Sequence, residues 1–324
     1  VSVTGTLTGN ASAISMGSLT IASGGTYSAT SGTTTILGSS GGFAILDEGT
    51  FTHNSGTVHI DFETSNLNSS TRIHQNGAKK INNLEIEMNR TTDEVTLSVV
   101  SGTSQGLAGN FTLTKGEAML YNNGHAFDVD GDFTVAANGT WGAVAHTGAH
   151  EFGSVTIASG GTFLATSGTT TITGELASSG FAFKNEGTFT HNNGIVSLES
   201  TSNTYIMESN FYNLTLNGNA DDRSFTFRDS ASNIITIYGN LTVTRGEFEF
   251  NTAGDTFTVH GLTHVAAIGK INSDNNHTGT ITYHGLVTIE GRIYTSSGTN
   301  NFNSGVRNLN TLTSNDTLTI GGTG

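Results

Sequence analysis

Three aspartates alternate along one short segment: Asp128, Asp130 and Asp132. Alternate residues of an extended strand share one face, so these carboxylates would lie together, where they could bind Ca²⁺ or supply a general acid and base. The spacing does not match an EF-hand loop. The corresponding residues in a later copy of this segment are Thr258, His260 and Leu262. Because the chain builds the segment again without the acids, a solvated acidic face is the favoured interpretation and a calcium site is the alternative.

The other paired carboxylates do not define a persistent site. Glu247 and Glu249 alternate with phenylalanines and face out of a predicted strand, but only the first has an acidic counterpart, Glu117. For Asp61 and Glu63 we likewise ask whether both carboxylates recur in the other repeat. A glycosidase needs two carboxylates held at a defined separation across a groove. We therefore predict a protein without enzymatic activity, with a hydrolase site as the alternative.

The eleven histidines do not form a recognisable metal motif. His53 and His191 are equivalent residues just before asparagine-rich turns. His260 and His264 are four residues apart in a strand-like segment rather than on a helix, so the zinc-protease pattern does not apply. Two further histidines close in sequence are His277 and His284. Histidines stacked on neighbouring coils could bind a metal, but a polar surface is the default interpretation, and we predict no cofactor.

Aromatic side chains on a surface could stack on sugar rings. The candidates are Trp141, Tyr205, Tyr212 and Tyr238. A place in the core is an equally good interpretation for most of them. A host surface glycan is therefore a candidate partner, without assigned residues.

The sequence contains two similar repeats and the beginning of a third. Three phrases recur roughly 130 to 140 residues later, as in proteins that grow by stacking repeats. The pairs are 17–26 with 153–162, 49–54 with 187–192, and 109–117 with 239–247. These offsets predict a first repeat over 1–145, a second over 146–276 and a partial third over 277–324, together forming one continuous solenoid.

Short runs of alternating apolar and polar residues predict many strands, separated by turns rich in Gly, Asn and Ser. Similar phrases also recur within each repeat at roughly 16 to 25 residues, about one coil of a parallel β-helix. The absence of proline suits a fold of central strands, where proline cannot donate to the ladder. We predict an all-β parallel β-helix, with tandem β-sandwich domains as the alternative.

Composition excludes several functional classes. The net charge is −14 with only 12 basic residues, whereas nucleic-acid binding requires clustered Lys and Arg, so we predict no nucleic-acid partner. No apolar run is long enough to span a membrane. The chain has no cysteine and therefore no disulfides or thiolate chemistry. Because it begins at Val1, we expect a processed product or part of a longer chain.

The phrases at 152–163, 187–194 and 211–216 resemble repeats of long surface proteins. Such repeats occur in tail-fibre-like proteins of marine tailed phages and in giant bacterial adhesins. The resemblance covers nearly the whole chain and implies a fibrous, extracellular, repetitive β protein. It carries over no catalytic residue.

These observations together predict a non-enzymatic segment of an extracellular fibre or spike, with a virion as the first choice. A cell-surface adhesin or surface-layer repeat is the first alternative, and a glycan-binding or depolymerising tailspike is the second. We expect a homo-oligomer, with a trimer suggested by analogy to fibres, or contacts with other virion or surface proteins. Virus and cell origin are not separated by composition.

Overall fold

The computed structural model describes residues 1–39, 41–63, 70–77, 80–99, 104–122, 124–142, 146–207, 209–228, 234–250, 254, 256–272, 278–313 and 318–321. Throughout these residues the chain forms strands and turns without any helix, and every strand pairing whose register the structure describes is parallel. The parallel β-solenoid is thereby confirmed. The β-sandwich alternative is wrong, because sandwich sheets are antiparallel.

Thirty-five strands are described, most of them short. In chain order they are β1 Ser2–Val3, β2 Thr6–Thr8, β3 Ile14–Met16, β4 Leu19–Ile21, β5 Thr26–Ser28, β6 Thr33–Ile36, β7 Phe43–Asp47, β8 Thr50–Thr52, β9 Thr57–Asp61, β10 Thr71–Gln75, β11 Asn83–Glu87, β12 Glu94–Val99, β13 Ser104–Leu107, β14 Phe111–Leu120, β15 Ala126–Trp141, β16 His150–Ile157, β17 Thr162–Leu164, β18 Thr169–Ile172, β19 Phe181–Asn185, β20 Thr188–Thr190, β21 Ile195–Leu198, β22 Thr204–Ile206, β23 Asn213–Asn217, β24 Ser224–Phe227, β25 Ile234–Ile237, β26 Leu241–Phe250, β27 Thr256–Val259, β28 Thr263–Asn272, β29 Ile281–Tyr283, β30 Val287–Ile289, β31 Arg292–Tyr294, β32 Asn300–Phe302, β33 Val306–Asn308, β34 Thr311–Thr313 and β35 Leu318–Ile320.

The chain divides into two compact units. Unit 1 comprises Val1–Gly168 and Glu186–Thr190, and unit 2 comprises Thr169–Asn185 and His191–Gly324. These units are defined by packing, whereas the sequence repeats are defined by similarity. The repeat boundaries therefore stay a prediction: 1–145, 146–276 and 277–324. His277, which marks the start of the third repeat, lies outside the described residues.

Aromatic rings fill the centre of unit 1. Phe111 stacks on Phe133 at 4.7 Å between ring centroids, and Phe127 stacks on Trp141 at 5.0 Å. Phe152 continues the cluster 4.5 Å from Phe133. All five side chains are fully buried, and each such ring pair contributes about 0.5–1.5 kcal/mol beyond simple burial.

Unit 2 has an aromatic core of the same kind. Phe248 lies 4.7 Å from Phe250, and Phe250 lies 4.9 Å from Phe257. Further along the unit, Tyr283 stacks on Phe302 at 4.9 Å. Strands with alternating burial place these rings inside and threonines outside, as the sequence pattern predicted.

Asparagine side chains link successive coils at equivalent places in both units. The Asn83 side-chain oxygen accepts from the Asn110 backbone N–H at 2.9 Å, and the Asn110 side chain accepts from the backbone of Asp132 at 2.9 Å. In unit 2, Asn213 and Asn240 make the matching bonds at 2.8 Å each. These residues therefore satisfy backbone donors that the turns would otherwise leave unpaired.

Candidate functional site

The three aspartates of the sequence prediction lie on β15 but do not form one regular row. The pairing of β15 with β16 shifts register between Val129 and Asp132. Asp130 is exposed, and Asp128 and Asp132 are half-buried. Asp132 accepts a hydrogen bond from the Ser154 hydroxyl at 2.6 Å, so this carboxylate already has a protein partner.

Within the described ranges, no group of three or more His, Cys, Asp or Glu side chains is arranged to hold a metal ion. The calcium site at Asp128, Asp130 and Asp132 therefore gains no support from their geometry and stays a prediction.

The other sequence candidates are engaged by neighbouring coils. Glu247 lies 3.8 Å from the Lys270 ammonium, and Glu249 accepts from the Thr226 hydroxyl at 2.8 Å. Both carboxylates lie beside buried phenylalanines on β26, as their alternation predicted.

Asp61 and Glu63 belong to a larger acidic cluster that sequence reasoning missed. Asp61 pairs in register with Glu87 on the next coil, and the Glu87 carboxylate lies 3.7 Å from the His59 imidazole. Burial, with Glu63 next, raises the pKa of the Glu87 carboxyl. The Lys115 ammonium lies 3.9 Å from Glu63 and offsets part of the negative charge.

The histidines separate into surface and interior groups. Ring nitrogens of His53 and His191 accept backbone N–H groups two residues on, at 2.9 and 3.1 Å, which explains their recurrence at the turns. His264 pairs with Glu290 at 3.6 Å. His146 and His150, which drew no attention in the sequence, are only 1 % exposed.

The aromatic candidates for sugar stacking also differ in burial. Trp141 is a core residue at 0 % exposure, so its glycan-stacking interpretation is wrong. Tyr205 is half-buried beneath the Arg228 guanidinium, 4.5 Å from its ring centre. Tyr212 and Tyr238 lie on an outer seam of rings in unit 2, which we call the ring seam. Its members are His191, Tyr212, Tyr238, His260 and His284.

A surface depression with mixed chemistry lies in unit 1, with a volume of about 400 Å³. Its lining residues are Gly41, Gly42, Phe43, Ser70, Thr71, Arg72, Glu94 and Thr96. The parallel register pairs Arg72 with Phe43 on one side and with Thr96 on the other. Three neighbouring coils thus bring an aromatic ring, a cation and a hydroxyl together, although these residues are far apart in sequence.

Charge and hydrogen bonding hold the walls of this depression in place. The Arg72 guanidinium lies over the Tyr121 ring, 4.5 Å from its centre. The Thr96 hydroxyl donates to the Glu94 carboxylate at 2.7 Å. The Thr71 side chain alternates with the exposed Arg72 and is 1 % exposed, so its hydroxyl lies on the inner face of β10. A polyhydroxylated ligand would meet donors, an acceptor and an apolar ring here.

Glu94 also belongs to a carboxylate pair. It lies in register with Glu117 on the next coil. Burial first, and then the charge of Glu94, raises the pKa of the Glu117 carboxyl. A carboxyl whose pKa is raised can serve as a proton donor, so Glu117 with its neighbour Glu94 is a candidate for hydrolytic chemistry.

Among the residues that the structure describes, no helix is long and apolar enough to cross a membrane. Comparison with family models, curated proteins and solved structures finds no significant match to this chain.

Proposed function

We propose that this chain is a structural segment of an extracellular fibre or spike, with a virion fibre as the first choice. The observation that carries the proposal is the stacking of like residues on like. In unit 1, Thr140, Thr162 and Thr188 form an outer row beside an inner column of aromatic rings. Each unit is thus built from coils that stack like residues on one another, and this regularity supports a role as a spacer.

The stiffness would come from two features. Within each unit, parallel strand pairing joins the described coils to their neighbours through backbone hydrogen bonds, and the buried ring columns exclude water from the interior. The hydroxyl-rich faces and the net charge of −14 would keep such a segment soluble. A cell-surface adhesin or surface-layer repeat would need the same properties, so it is the alternative.

Immunogold electron microscopy of the native source, with an antibody to this chain, separates these origins. Label on phage-like particles would support a virion fibre. Label on cell envelopes or free filaments would replace it with the adhesin proposal. Small-angle scattering of the purified chain tests the shared premise, because a profile of separate globular domains would contradict an extended spacer.

A second candidate function is glycan binding at the unit 1 depression. It is supported by the combination of Phe43, Arg72 and Glu94 on adjoining coils, since stacking and bidentate hydrogen bonding together suit a sugar ring. Hydrolysis would require the Glu94 and Glu117 pair in addition.

The test is a panel of purified bacterial surface polysaccharides, assayed for binding and for release of reducing ends. Arg72→Ala should lower binding at least about tenfold, because it removes the cation and its contact with Tyr121. Arg228→Ala is the matched control, since Arg228 stacks on Tyr205 at the same 4.5 Å in unit 2. Equal loss in both variants, or no binding to any polysaccharide, would overturn this candidate. Loss of reducing-end release alone in Glu117→Gln would assign catalysis.

A further inference from the structure

Two imidazoles of the ring seam lie directly over each other. The centroids of His260 and His284 are 4.8 Å apart, and their planes differ by 2°. Tyr238 extends the stack 5.9 Å from His260 with a 5° plane angle. Both histidines are exposed to solvent.

The parallel register is the cause of this juxtaposition. Val259 on β27 pairs with Tyr283 on β29, so the residues that follow them lie on adjacent coils. Those residues are His260 and His284, 24 positions apart in the chain. The ring separation is close to the strand spacing of about 4.8 Å, which is the distance that ladder pairing imposes.

We propose that His260 and His284 form a two-imidazole site for a divalent transition metal ion of the nickel, copper and zinc group. Imidazole nitrogen is a preferred ligand of these ions. Bond lengths of about 2.0–2.1 Å require the outer nitrogens to approach each other more closely than the stacked rings do. Both rings are exposed, so each can rotate about χ1 and the broad χ2 torsion until the two nitrogens converge on one ion. Water supplies the remaining ligands.

Asn303 serves as a positioning residue for this site. Its amide lies 3.2 Å from the His284 Nδ1. When the other ring nitrogen binds the metal, Nδ1 carries the proton, and the amide rotates to accept it through its oxygen. A hydrogen bond of this kind fixes the tautomer and orientation of a metal-bound histidine. The site does not depend on the proposed structural function.

The chain provides its own comparison. The pairing of Val129 with Phe152 in unit 1 matches that of Val259 with Tyr283 in unit 2. The residues that follow Val129 and Phe152 are Asp130 and Gly153, so the equivalent place in unit 1 has no imidazole. The site is therefore specific to unit 2.

Isothermal titration of the full chain with NiCl₂, after removal of any affinity tag, tests the proposal. We expect one ion per chain, with binding weakened about tenfold or more by His260→Asn and by His284→Asn. Asn303→Ala should weaken it less. His264→Asn is the control, because it removes a half-buried imidazole outside the seam and should leave binding unchanged.

Electron paramagnetic resonance with one equivalent of Cu²⁺ gives a second measurement. The wild type should show two coordinated imidazole nitrogens, and either seam variant should show fewer. Absence of Ni²⁺ binding in the wild type overturns the proposal. Binding unchanged in both seam variants, or reduced equally by His264→Asn, overturns it as well.

Discussion

Equivalent interior columns of the two units differ in polarity. In unit 1 the column consists of Gln105, Phe127 and His150. In unit 2 it consists of Ile235, Phe257 and Ile281. All six side chains are at most 1 % exposed. The same backbone therefore accommodates either an apolar or a polar interior. The polar interior of unit 1 is the less stable of the two, because burying a polar group costs free energy unless it finds a hydrogen-bond partner.

The polar interior of unit 1 is poorly satisfied by protein groups. Trp141, His146 and His150 form a cluster with ring centroids 5.2 to 6.1 Å apart. The His146 Nε2 accepts the Leu120 backbone N–H at 3.2 Å. Four other nitrogens of the cluster, one of them on Trp141, have no partner among the described residues. Each costs about 1–3 kcal/mol if it stays unpaired.

The largest expected effect is acid destabilisation that is strongest in unit 1. Burial lowers the pKa of His146 to about 4 and that of His150 to about 3, the charge of His146 adding to the latter. In the unfolded chain these two histidines take up protons near pH 6.5, whereas in the folded chain they stay neutral at that pH. The free energy of unfolding is therefore at its full value above pH 6.5 and falls as the pH drops towards 4. The loss is about 3 kcal/mol per histidine over this window.

Urea unfolding at pH 7 and at pH 4.5 measures this difference. Trp141 is the single tryptophan, so its fluorescence reports unit 1. The urea midpoint measured by Trp141 fluorescence should fall strongly at the lower pH, whereas hydrogen exchange in β27 and β29 of unit 2 should change little. An unshifted tryptophan midpoint would contradict the account.

Exchanging the column residues should transfer this sensitivity between the units. His150→Ile places the unit 2 residue in unit 1 and should remove about half of the acid effect. The reciprocal change, Ile281→His, should destabilise unit 2 by about 3 kcal/mol and make it sensitive to acid. Circular dichroism and hydrogen exchange at both pH values test the pair, and identical pH profiles for wild type and both variants would argue against the role of burial.

Gln105→Ile should give a smaller gain that does not depend on pH. Neither amide atom of Gln105 has a partner in the described part of the chain, so its replacement should stabilise unit 1 by about 1–2 kcal/mol. Ile235→Gln is the matched reverse and should destabilise unit 2. A gain that grows at low pH would instead implicate the neighbouring histidines.

The smallest effect should be equal in the two units. Asn110→Ala and Asn240→Ala each remove a hydrogen bond to the next coil, at 2.9 and 2.8 Å. Each should cost about 1 kcal/mol in the free energy of unfolding. Clearly unequal costs, measured by hydrogen exchange of the adjoining strands, would show that the units differ in their turns as well as their interiors.

Some elements departed from the sequence pattern for a local reason. The long strand β15 runs to Trp141 through Asn138 and Gly139, a residue pair that is typical of turns. A side chain at Gly139 would come within 2.7 Å of the Leu113 carbonyl oxygen. The glycine thus permits close approach of two coils rather than a turn, and only the neighbouring coil reveals this.

The sequence by itself determined an all-β chain built from repeats, because alternation of apolar and polar residues specifies strands and recurrent phrases specify similar units. The parallel strand pairing in the structure decided for the solenoid over tandem sandwiches. The sequence also determined the turn positions, where Asn54 and Asn192 adopt positive φ of 47° and 46°. Only the tertiary structure decided which side chains meet across coils, such as Glu94 with Glu117 and His260 with His284. Coil length varies along the chain, and a shift of one residue in register would turn each of these side chains to the opposite face.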